Sequence, residues 1–418
     1  MTHAVASPRH PVPDSRPQRI AFFGHDVHDT TVMKRIGAFE RHGTAVDAYL
    51  FRRERDAPPR VRDLDWIDLG PTRDRDYAGR IASLARALPV LARARTRIGD
   101  ADAFYARNLD MLLLADAARR MSGSRAPLIY EALDVRPIML GSGAASRVFR
   151  FAEQRLLGAC DLLVVSSPGY IDHYFKAVQR YTGPWLLLEN KIDAAAMTAP
   201  ADRPAADPPP PGKPWVVGWF GVLKCRRSFD LLTRLADVLG DRVEVHIRGI
   251  TSETDLAKAD IEAAARRLPN LRFFGPYANP RDLPSVYGAT HITWTGDFLD
   301  AAANSAWCLP NRLYEGAAHG SVLLANRGTA TAAKIEADKL GWTIPEPLEH
   351  TLPAFLEALT IAAFEAQQAA VRAAPRSLFY DLDDTRALLA CIGRLSTPRR
   401  VQKETEAPIQ PLSARSRP

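Results

Sequence analysis

Residues 308–326 read CLPNRLYEGAAHGSVLLAN, and this stretch shows the pattern that decides the fold. Pro310 opens a short helical segment, Gly320 ends it, and the apolar run SVLLAN that follows is typical of a buried β-strand. A helix that leads directly into a buried strand is part of a β–α–β unit, in which the strands run parallel. Glu315 lies inside this helix, four residues after Asn311, so the two side chains share one face.

The same alternation of helix and strand continues on both sides of this stretch. Buried runs that predict strands stand at 19–26 (RIAFFGHD), 101–108 (ADAFYARN), 127–134 (PLIYEALD) and 161–167 (DLLVVSS), and after residue 214 at 215–221 (WVVGWFG), 243–249 (VEVHIRG) and 291–296 (HITWTG). Alternation of this kind predicts the α/β class, with two Rossmann-like, doubly wound domains that face a cleft. Ligands of such domains bind beyond the carboxyl ends of the strands.

Proline content marks the domain boundary. The segment ADRPAADPPPPGKP (201–214) predicts a stiff linker, because proline-dense chains are extended. We therefore predict a disordered N-terminus at 1–18, a first domain at 19–195, a linker at 196–214, a second domain at 215–374 and a disordered tail at 397–418.

Composition excludes several classes of protein. The chain has 418 residues and a net charge of +7, and its four cysteines show no CxxC spacing. A zinc site or disulfide framework is therefore not expected, and a reduced cytosol fits. The sequence contains no run of eighteen apolar residues, so no membrane span is predicted. The N-terminus has no apolar core of the kind found in signal peptides.

The basic surplus is concentrated in one segment. YAGRIASLARALPVLARARTRI (77–98) holds five arginines and no acidic residue, with apolar residues at helical spacing. Such a segment can lie on an anionic membrane surface, and an ordinary surface helix is the alternative.

A loop with three cations follows the first strand of the second domain. Gly221 ends that strand, and Lys224, Arg226 and Arg227 come within the next six residues. We expect these side chains to face the cleft, because strand-to-helix loops lie at the carboxyl edge of a parallel sheet. Cations placed there stabilise the charge that builds on a pyrophosphate leaving group. A solvated basic loop is the alternative.

The helix that carries Asn311 and Glu315 begins at the same edge. A carboxylate there can accept hydrogen bonds from the two hydroxyl groups of a ribose, and free N–H groups at the helix start can hold phosphate. A glutamate that only complements the helix dipole is the alternative interpretation. Arg248 and Tyr277 follow neighbouring strands, and we predict them at the same edge.

The first domain supplies candidates for proton transfer on the opposite lip of the cleft. His25 and Asp26 end its first strand, and Glu131, Asp134 and Arg136 lie at the end of the strand at 127–134, in YEALDVRP. A carboxylate or imidazole there can take a proton from a sugar hydroxyl as a general base. The histidine and aspartate spacing at 25–29 fits no standard zinc motif, so we expect no metal.

Three segments resemble those of GT-B glycosyltransferases of the family-4-like kind. Among these enzymes, the resemblance is nearer to the bacterial exopolysaccharide enzymes of the succinoglycan type. They are YEALDVRP (130–137), GWFGVLKCRR (218–227) and NRLYEGAAHGSVLLA (311–325). The resemblance implies that Glu315 holds the donor ribose and that Lys224, with Arg226 or Arg227, grips the donor diphosphate. It also implies that residues 375–396 form a helix returning to the first domain.

Such a resemblance implies partners as well. They are a nucleotide sugar as donor, a lipid-linked oligosaccharide or other saccharide as acceptor, and an anionic membrane surface. No cofactor, metal or nucleic acid is expected. The implied location is cytoplasmic, peripheral on the inner face of the cytoplasmic membrane.

One position departs from the pattern of these enzymes. Retaining members carry a second glutamate eight residues before the ribose glutamate, and here that position is Trp307. The departure favours inversion by a single displacement, with Asp134 as the base and His25 or Asp26 as alternatives.

Two rival functions remain open from the sequence. One is a sugar-nucleotide epimerase of the same fold, and the other is a non-catalytic protein that binds nucleotides or nucleic acid. A dinucleotide oxidoreductase is disfavoured, because GHDVHD (24–29) lacks the glycines that let a backbone approach pyrophosphate.

Overall fold

The computed structural model describes residues 16–53, 65–72, 77–194, 206–210, 213–252, 255–300 and 303–396. Most of the predicted linker, the predicted disordered tail and nearly all of the predicted disordered N-terminus lie outside the described residues.

Seven parallel strands form the first sheet, in the order β3-β2-β1-β4-β5-β6-β7. The strands are β1 Arg19–Gly24, β2 Ala45–Arg53, β3 Trp66–Thr72, β4 Ala103–Arg107, β5 Leu128–Ala132, β6 Leu162–Val165 and β7 Trp185–Leu187. The helices between them are α1 Thr30–Arg41, α2 Tyr77–Arg93, α3 Arg95–Gly99, α4 Leu109–Ser122, α5 Pro137–Leu140, α6 Ala144–Leu157 and α7 Pro168–Tyr170, which continues as a π-helix at Ile171–Lys176. The central strands are largely apolar because helices cover both faces of the sheet.

A second sheet of six parallel strands has the order β11-β10-β9-β12-β13-β14. The strands are β9 Trp215–Leu223, β10 Val243–Thr251, β11 Leu271–Phe273, β12 Ile292–Trp294, β13 Val322–Asn326 and β14 Gly341–Ile344. The helices are α8 Arg226–Leu239, α9 Lys258–Arg267, α10 Leu283–Gly288, α11 Asn304–Trp307, α12 Asn311–Ala318, α13 Ala330–Ala337, α14 Leu348–Ala358 and α15 Ile361–Ala373, with 3₁₀ turns at Gly240–Arg242 and Arg376–Leu378.

The last helix, α16 (Asp384–Ser396), crosses back to the first sheet. Its Leu388, Leu389 and Ile392 are buried in one core with Ile36 and Phe39 of α1. Strand β8 (Ile192–Asp193) pairs in parallel with β15 (Tyr380–Asp381). The pair lies where the chain leaves the first sheet for the second and where it returns. We call residues 16–194 with α16 the first lobe, and residues 213–373 the second lobe.

The structure corrects the predicted elements at three places. The edge strand β3 was not predicted, because Gly70 and Pro71 interrupt it, and an edge strand tolerates proline. The α13–β14 unit was also missed. Apolar spacing predicts one helix at 352–374. The chain forms two helices there, because Thr360 caps the second one by accepting a hydrogen bond from the N–H of Ala363 at 3.2 Å.

Candidate functional site

A cavity of roughly 1210 Å³, counting its open mouth, lies between the two lobes. We call it the interlobe cavity. The first lobe lines it mainly with polar and basic side chains of α1 and β4, and the second lobe with polar side chains around the start of α12: Thr30, Thr31, Lys34, Arg35, Arg107, Asn279, Asn311 and Glu315. Both lobes therefore contribute hydrogen-bonding groups to one space.

Glu315 is fixed in the wall of this cavity. Its Oε1 accepts a hydrogen bond from Asn279 Nδ2 at 2.8 Å, and its Oε2 accepts one from the Tyr287 hydroxyl at 2.7 Å. Burial raises the pKa of Glu315, and the two hydrogen bonds counteract part of that effect. Each oxygen retains a further lone pair, so the carboxylate can still accept hydrogen bonds from a ligand.

Glycine brings this part of α12 close to the sheet. A Cβ atom at Gly316 would lie 2.9 Å from Leu323 Cδ2 and 3.0 Å from Thr293 Oγ1, so only glycine allows this approach. Asn311, one turn before Glu315, lines the same cavity. The predicted shared face of these two residues is therefore turned toward the other lobe.

Glu131 does not belong to the acceptor side of the cleft, contrary to the sequence-based prediction. It lies in the interior of β5, where its carboxylate contacts Arg35 Nη2 at 3.0 Å and Arg107 Nε at 2.7 Å. Burial would raise the pKa of Glu131, but the charges of Arg107 and Arg35 outweigh it and hold the pKa below its ordinary value. Arg35 and Arg107 line the interlobe cavity, and Glu131 lies behind them.

Lys34 faces Glu315 from the first lobe. Its ammonium group donates a hydrogen bond to the Lys191 carbonyl. Burial, with a smaller contribution from Arg35, lowers the pKa of Lys34 to about 8, and Glu315 is among the acids that counteract this. The sequence pattern gave no sign of this lysine, because it lies on an ordinary amphipathic helix.

The basic loop after β9 divides into two parts. Arg226 forms an ion pair with Asp260, and Arg227 pairs with Glu346 at 2.8 Å and with Glu349 at 3.5 Å, all within the second lobe. Both arginines thus already have anionic partners on the outside of that lobe, which does not support a diphosphate grip by them.

Lys224 differs from its two neighbours in this loop. It is half-buried and forms no ion pair with any residue that the structure describes. It lies close enough to Cys308 to influence the pKa of that thiol, which burial raises to about 11. Gly221, with φ of +108°, lies inside β9, which runs on to Leu223, and Lys224 is the first residue after that strand.

A buried arginine that the sequence analysis missed lies at the same edge. Arg312 is 7% exposed, and its guanidinium donates to the carbonyls of Phe220 at 3.3 Å and Gly296 at 3.4 Å. The Phe220 carbonyl belongs to the second half of β9, and the Gly296 carbonyl to the loop after β12. Asp297 lies 3.5 Å from this guanidinium and offsets part of its charge. Arg312 and Lys224 both lie close enough to Cys308 to lower its pKa, so two cations are near this edge.

Arg248 and Tyr277 lie beside one another at the edge formed by β10 and the loop after β11. The Arg248 guanidinium stacks over the Phe274 ring at 5.4 Å. Tyr277 packs on a small core around Phe220 and Tyr287, and burial raises its pKa. Neither side chain lines the interlobe cavity.

His25 is paired with an aspartate that the sequence analysis did not assign to it. Its Nε2 lies 3.1 Å from Asp29 Oδ2, and its Nδ1 lies 3.5 Å from the Asn108 side-chain amide. Burial opposes ionisation of Asp29, but contacts with His25, Thr31 and Arg107 outweigh it and lower the Asp29 pKa. This carboxylate thus orients the imidazole at the carboxyl end of β1.

Asp26 is committed to local structure. It is 1% exposed, its Oδ1 accepts a hydrogen bond from the N–H of His28 at 3.0 Å, and its Oδ2 lies 3.3 Å from Arg53 Nε. With both oxygens used on the first lobe, Asp26 is poorly placed to act as a base.

Asp134 is exposed on the loop after β5, and Arg136 is half-buried beside it. The next residue, Val135, donates its N–H to Asn304 Oδ1 of the second lobe at 3.2 Å. The position of the candidate base therefore depends on α11.

Trp307, which stands where retaining enzymes carry a glutamate, joins the two lobes. Its ring stacks on His173 at 5.4 Å with an interplanar angle of 17°, and its carbonyl accepts a hydrogen bond from the Ser167 hydroxyl. A Cβ atom at Gly169 would lie 2.8 Å from Trp307 Cβ, so the two backbone segments are in direct contact. The side chain at this position closes the cleft instead of supplying a carboxylate.

The basic segment at 77–98 is partly neutralised. Arg80 pairs with Asp110, and Arg97 contacts Asp47 at 2.6 Å and Asp65 at 3.0 Å. Within the described part of the chain, no helix combines the length and the apolar character needed to cross a membrane. The described residues also contain no cluster of three or more histidine, cysteine or acidic side chains suited to a metal ion.

Comparison with known proteins decides the family. No family model matches the chain. The chain is 35% identical over 382 residues to the succinoglycan biosynthesis protein ExoL of Rhizobium meliloti (strain 1021), and the match covers 90% of this chain and 94% of ExoL. The chain belongs to the ExoL family.

Solved structures show the fold of this ExoL-family protein. Sucrose-phosphate synthase from Thermosynechococcus elongatus superposes with a TM-score of 0.68 at 14% identity, over 90% of this chain and 99% of that one. Anabaena HepE in complex with UDP and glucose gives 0.64 at 15% identity, over 90% and 100%. The fold is thus the GT-B fold with two Rossmann-like domains, and with the family it makes the chain a glycosyltransferase of exopolysaccharide synthesis.

Proposed function

We propose that this ExoL-family protein transfers a sugar from a nucleoside-diphosphate sugar to a hydroxyl group of a lipid-linked saccharide. The observation that carries the proposal is the position of Glu315, held by Asn279 and Tyr287 in the wall of the interlobe cavity with Asn311 beside it. HepE, with the same fold, was solved with UDP and glucose, which supports a uridine nucleotide as the donor carrier.

The donor has a defined orientation in this proposal. The ribose hydroxyl groups donate hydrogen bonds to the Glu315 carboxylate, and the diphosphate lies toward Lys224 and Arg312 at the carboxyl edge of the second sheet. Lys34 adds positive charge from the first lobe. These cations stabilise the charge that develops on the leaving diphosphate.

The transfer reaction also requires a general base, and we propose that the first lobe supplies it. The acceptor hydroxyl attacks the anomeric carbon and loses its proton to Asp134, or to His25 as the alternative. The bond from that carbon to the phosphate oxygen breaks, and the nucleoside diphosphate leaves with the electron pair. Trp307 supports a single displacement with inversion, because no carboxylate stands at its position.

The location that we propose is the cytoplasm, at the inner face of the membrane. All four cysteines are unpaired, which suits a reducing compartment.

Lys34 makes donor binding depend on pH. A bound nucleoside diphosphate favours the charged ammonium group and raises the Lys34 pKa from about 8 toward its ordinary value of 10.5. The protein should therefore take up a proton when it binds UDP near pH 8, and its affinity for UDP should fall by up to about tenfold between pH 7 and pH 9. Calorimetry in two buffers with different ionisation enthalpies measures the uptake.

The Lys34→Met variant should bind UDP with no proton uptake from this site and a flatter pH profile. Lys176→Met is the matched control, since Lys176 is exposed on the π-helix and pairs with Asp172. Proton uptake that is unchanged in Lys34→Met would exclude Lys34 from the donor site.

The product of the reaction tests the function itself. The protein is incubated with UDP-sugars, with and without a lipid-linked or a soluble saccharide acceptor, and the products are separated by chromatography that resolves epimeric UDP-sugars and are then identified by mass. We expect an acceptor longer by one sugar together with free UDP. An epimerised UDP-sugar formed without acceptor would instead support the epimerase alternative and overturn the proposal.

A further inference from the structure

A second cavity, of roughly 970 Å³ counting its mouth, lies within the first lobe between α2, α4, α5 and α6. We call it the apolar cavity. Its walls consist largely of aliphatic and aromatic side chains, among them Ile81, Leu84, Leu109, Leu113, Ile138 and Met139. The donor site described above does not use it.

Most of the polar side chains that line the apolar cavity already have partners. Arg80 is paired with Asp110 at the rim. Glu153 at the floor accepts hydrogen bonds from the Tyr130 and Tyr174 hydroxyl groups and from the Gln179 amide. A saccharide would lose water from many hydroxyl groups here and gain few hydrogen bonds, so the cavity suits a hydrocarbon ligand.

This cavity opens at the acceptor side of the cleft. Asp134 and Asn108 both line it, and the Asn108 amide approaches His25 at 3.5 Å. A ligand in the apolar cavity therefore ends next to both candidate bases. The apolar wall also reaches the protein surface. Ile81 and Leu113 both line the cavity, and they are 63% and 47% exposed.

Arginines outnumber acidic residues along α6, which forms one wall of the cavity. Arg136 lines the cavity, and Arg150 donates to the carbonyls of Met139 at 2.9 Å and Gly141 at 2.6 Å on the α5 side. The neighbouring helix α6 carries Arg147 and Arg155 on its exposed side. An apolar slot with cations near its mouth is complementary to a hydrocarbon chain that ends in phosphate.

From these observations we infer that the apolar cavity binds the isoprenoid or alkyl chain of a phosphate-linked lipid acceptor, with the saccharide end of that acceptor toward Asp134. This inference rests on the proposed function and adds to it the site of the lipid. The chain lies between α2, α4 and α6, its phosphate lies near the basic rim, and the saccharide extends from there to the cleft.

Direct binding to the full chain tests the inference, with farnesyl phosphate below its micelle concentration as the probe. We expect saturable one-to-one binding. Geranyl phosphate should bind at least about tenfold more weakly, because each buried methylene adds about fourfold to affinity. Inorganic phosphate should not displace the probe.

Two exposed wall residues allow variants that fold. Ile81→Glu and Leu113→Glu each place a carboxylate in the mouth and should weaken farnesyl phosphate binding at least about tenfold. Leu88→Glu is the matched control, because Leu88 is a 39% exposed residue of the same helix that does not line the cavity. This control should bind the probe as the unchanged protein does.

Three results would overturn the inference: no binding of farnesyl phosphate, unchanged binding in Ile81→Glu and Leu113→Glu, or an equal loss in Leu88→Glu. UDP titrations of the same samples separate the two proposals. The wall variants should keep their UDP affinity, and a protein that binds farnesyl phosphate but not UDP would refute the proposed donor site alone.

Discussion

The Asp134→Asn variant is expected to lose about 10²- to 10⁴-fold in turnover while it binds the nucleotide donor as tightly as the unchanged protein. Asparagine has nearly the same shape as aspartate but cannot accept the proton of the acceptor hydroxyl. Asp134 lies on the first lobe, away from Glu315 and Lys224, so donor affinity should not change. Steady-state kinetics with saturating acceptor, together with UDP calorimetry, separate the two effects.

His25 is the competing candidate for the base. His25→Gln removes the proton acceptor but retains a polar side chain near Asp29. If Asp134→Asn turns over at a near-normal rate while His25→Gln does not, the base is His25. Asp172→Asn serves as the control, because Asp172 is an exposed acid of the same lobe, paired with Lys176.

The Glu131→Ala variant should lose about 3 to 5 kcal/mol of unfolding free energy. Arg35 and Arg107 would then be buried with no carboxylate between them. The pKa of Glu131 is lowered in the folded protein. Its contribution to the free energy of unfolding is therefore present at neutral pH and is lost as the pH falls through that pKa. Urea unfolding of variant and unchanged protein measures the difference.

Glu153→Gln is the matched control for this prediction. Glu153 is equally inaccessible in the same lobe, but its partners are two tyrosines and a glutamine, with no cation. Its replacement leaves no buried charge unpaired, so the loss of stability should be clearly smaller. A Glu131→Ala variant no less stable than Glu153→Gln would show that the ion triad contributes little.

Periodicity made most of the fold predictable, since buried strands and amphipathic helices differ in the spacing of apolar residues. It failed for β3, where an edge position allows Gly70 and Pro71 within a strand. Strand β14 was missed because GWTI is short and only partly buried.

The site could be predicted only where the position of a residue in the sequence determines whether its side chain faces the cleft. Glu315 and Asn311 face the cleft because their helix begins at the carboxyl edge of the sheet. Arg226 and Arg227 have the same position in sequence, but acids distant in the chain hold them elsewhere. Lys34 and Arg312 were missed because their roles depend on contacts between segments far apart.

Calorimetric titration of UDP, with GDP and ADP alongside, tests the central claim most directly. The account predicts that at least one nucleotide binds the unchanged protein and that Glu315→Ala weakens it at least about tenfold, as expected for hydrogen bonds to a charged group. The 2′-deoxy form of that nucleotide should bind the unchanged protein more weakly and lose less in the variant. No heat with any nucleotide, or equal affinity in the Glu315→Ala variant, would contradict the account.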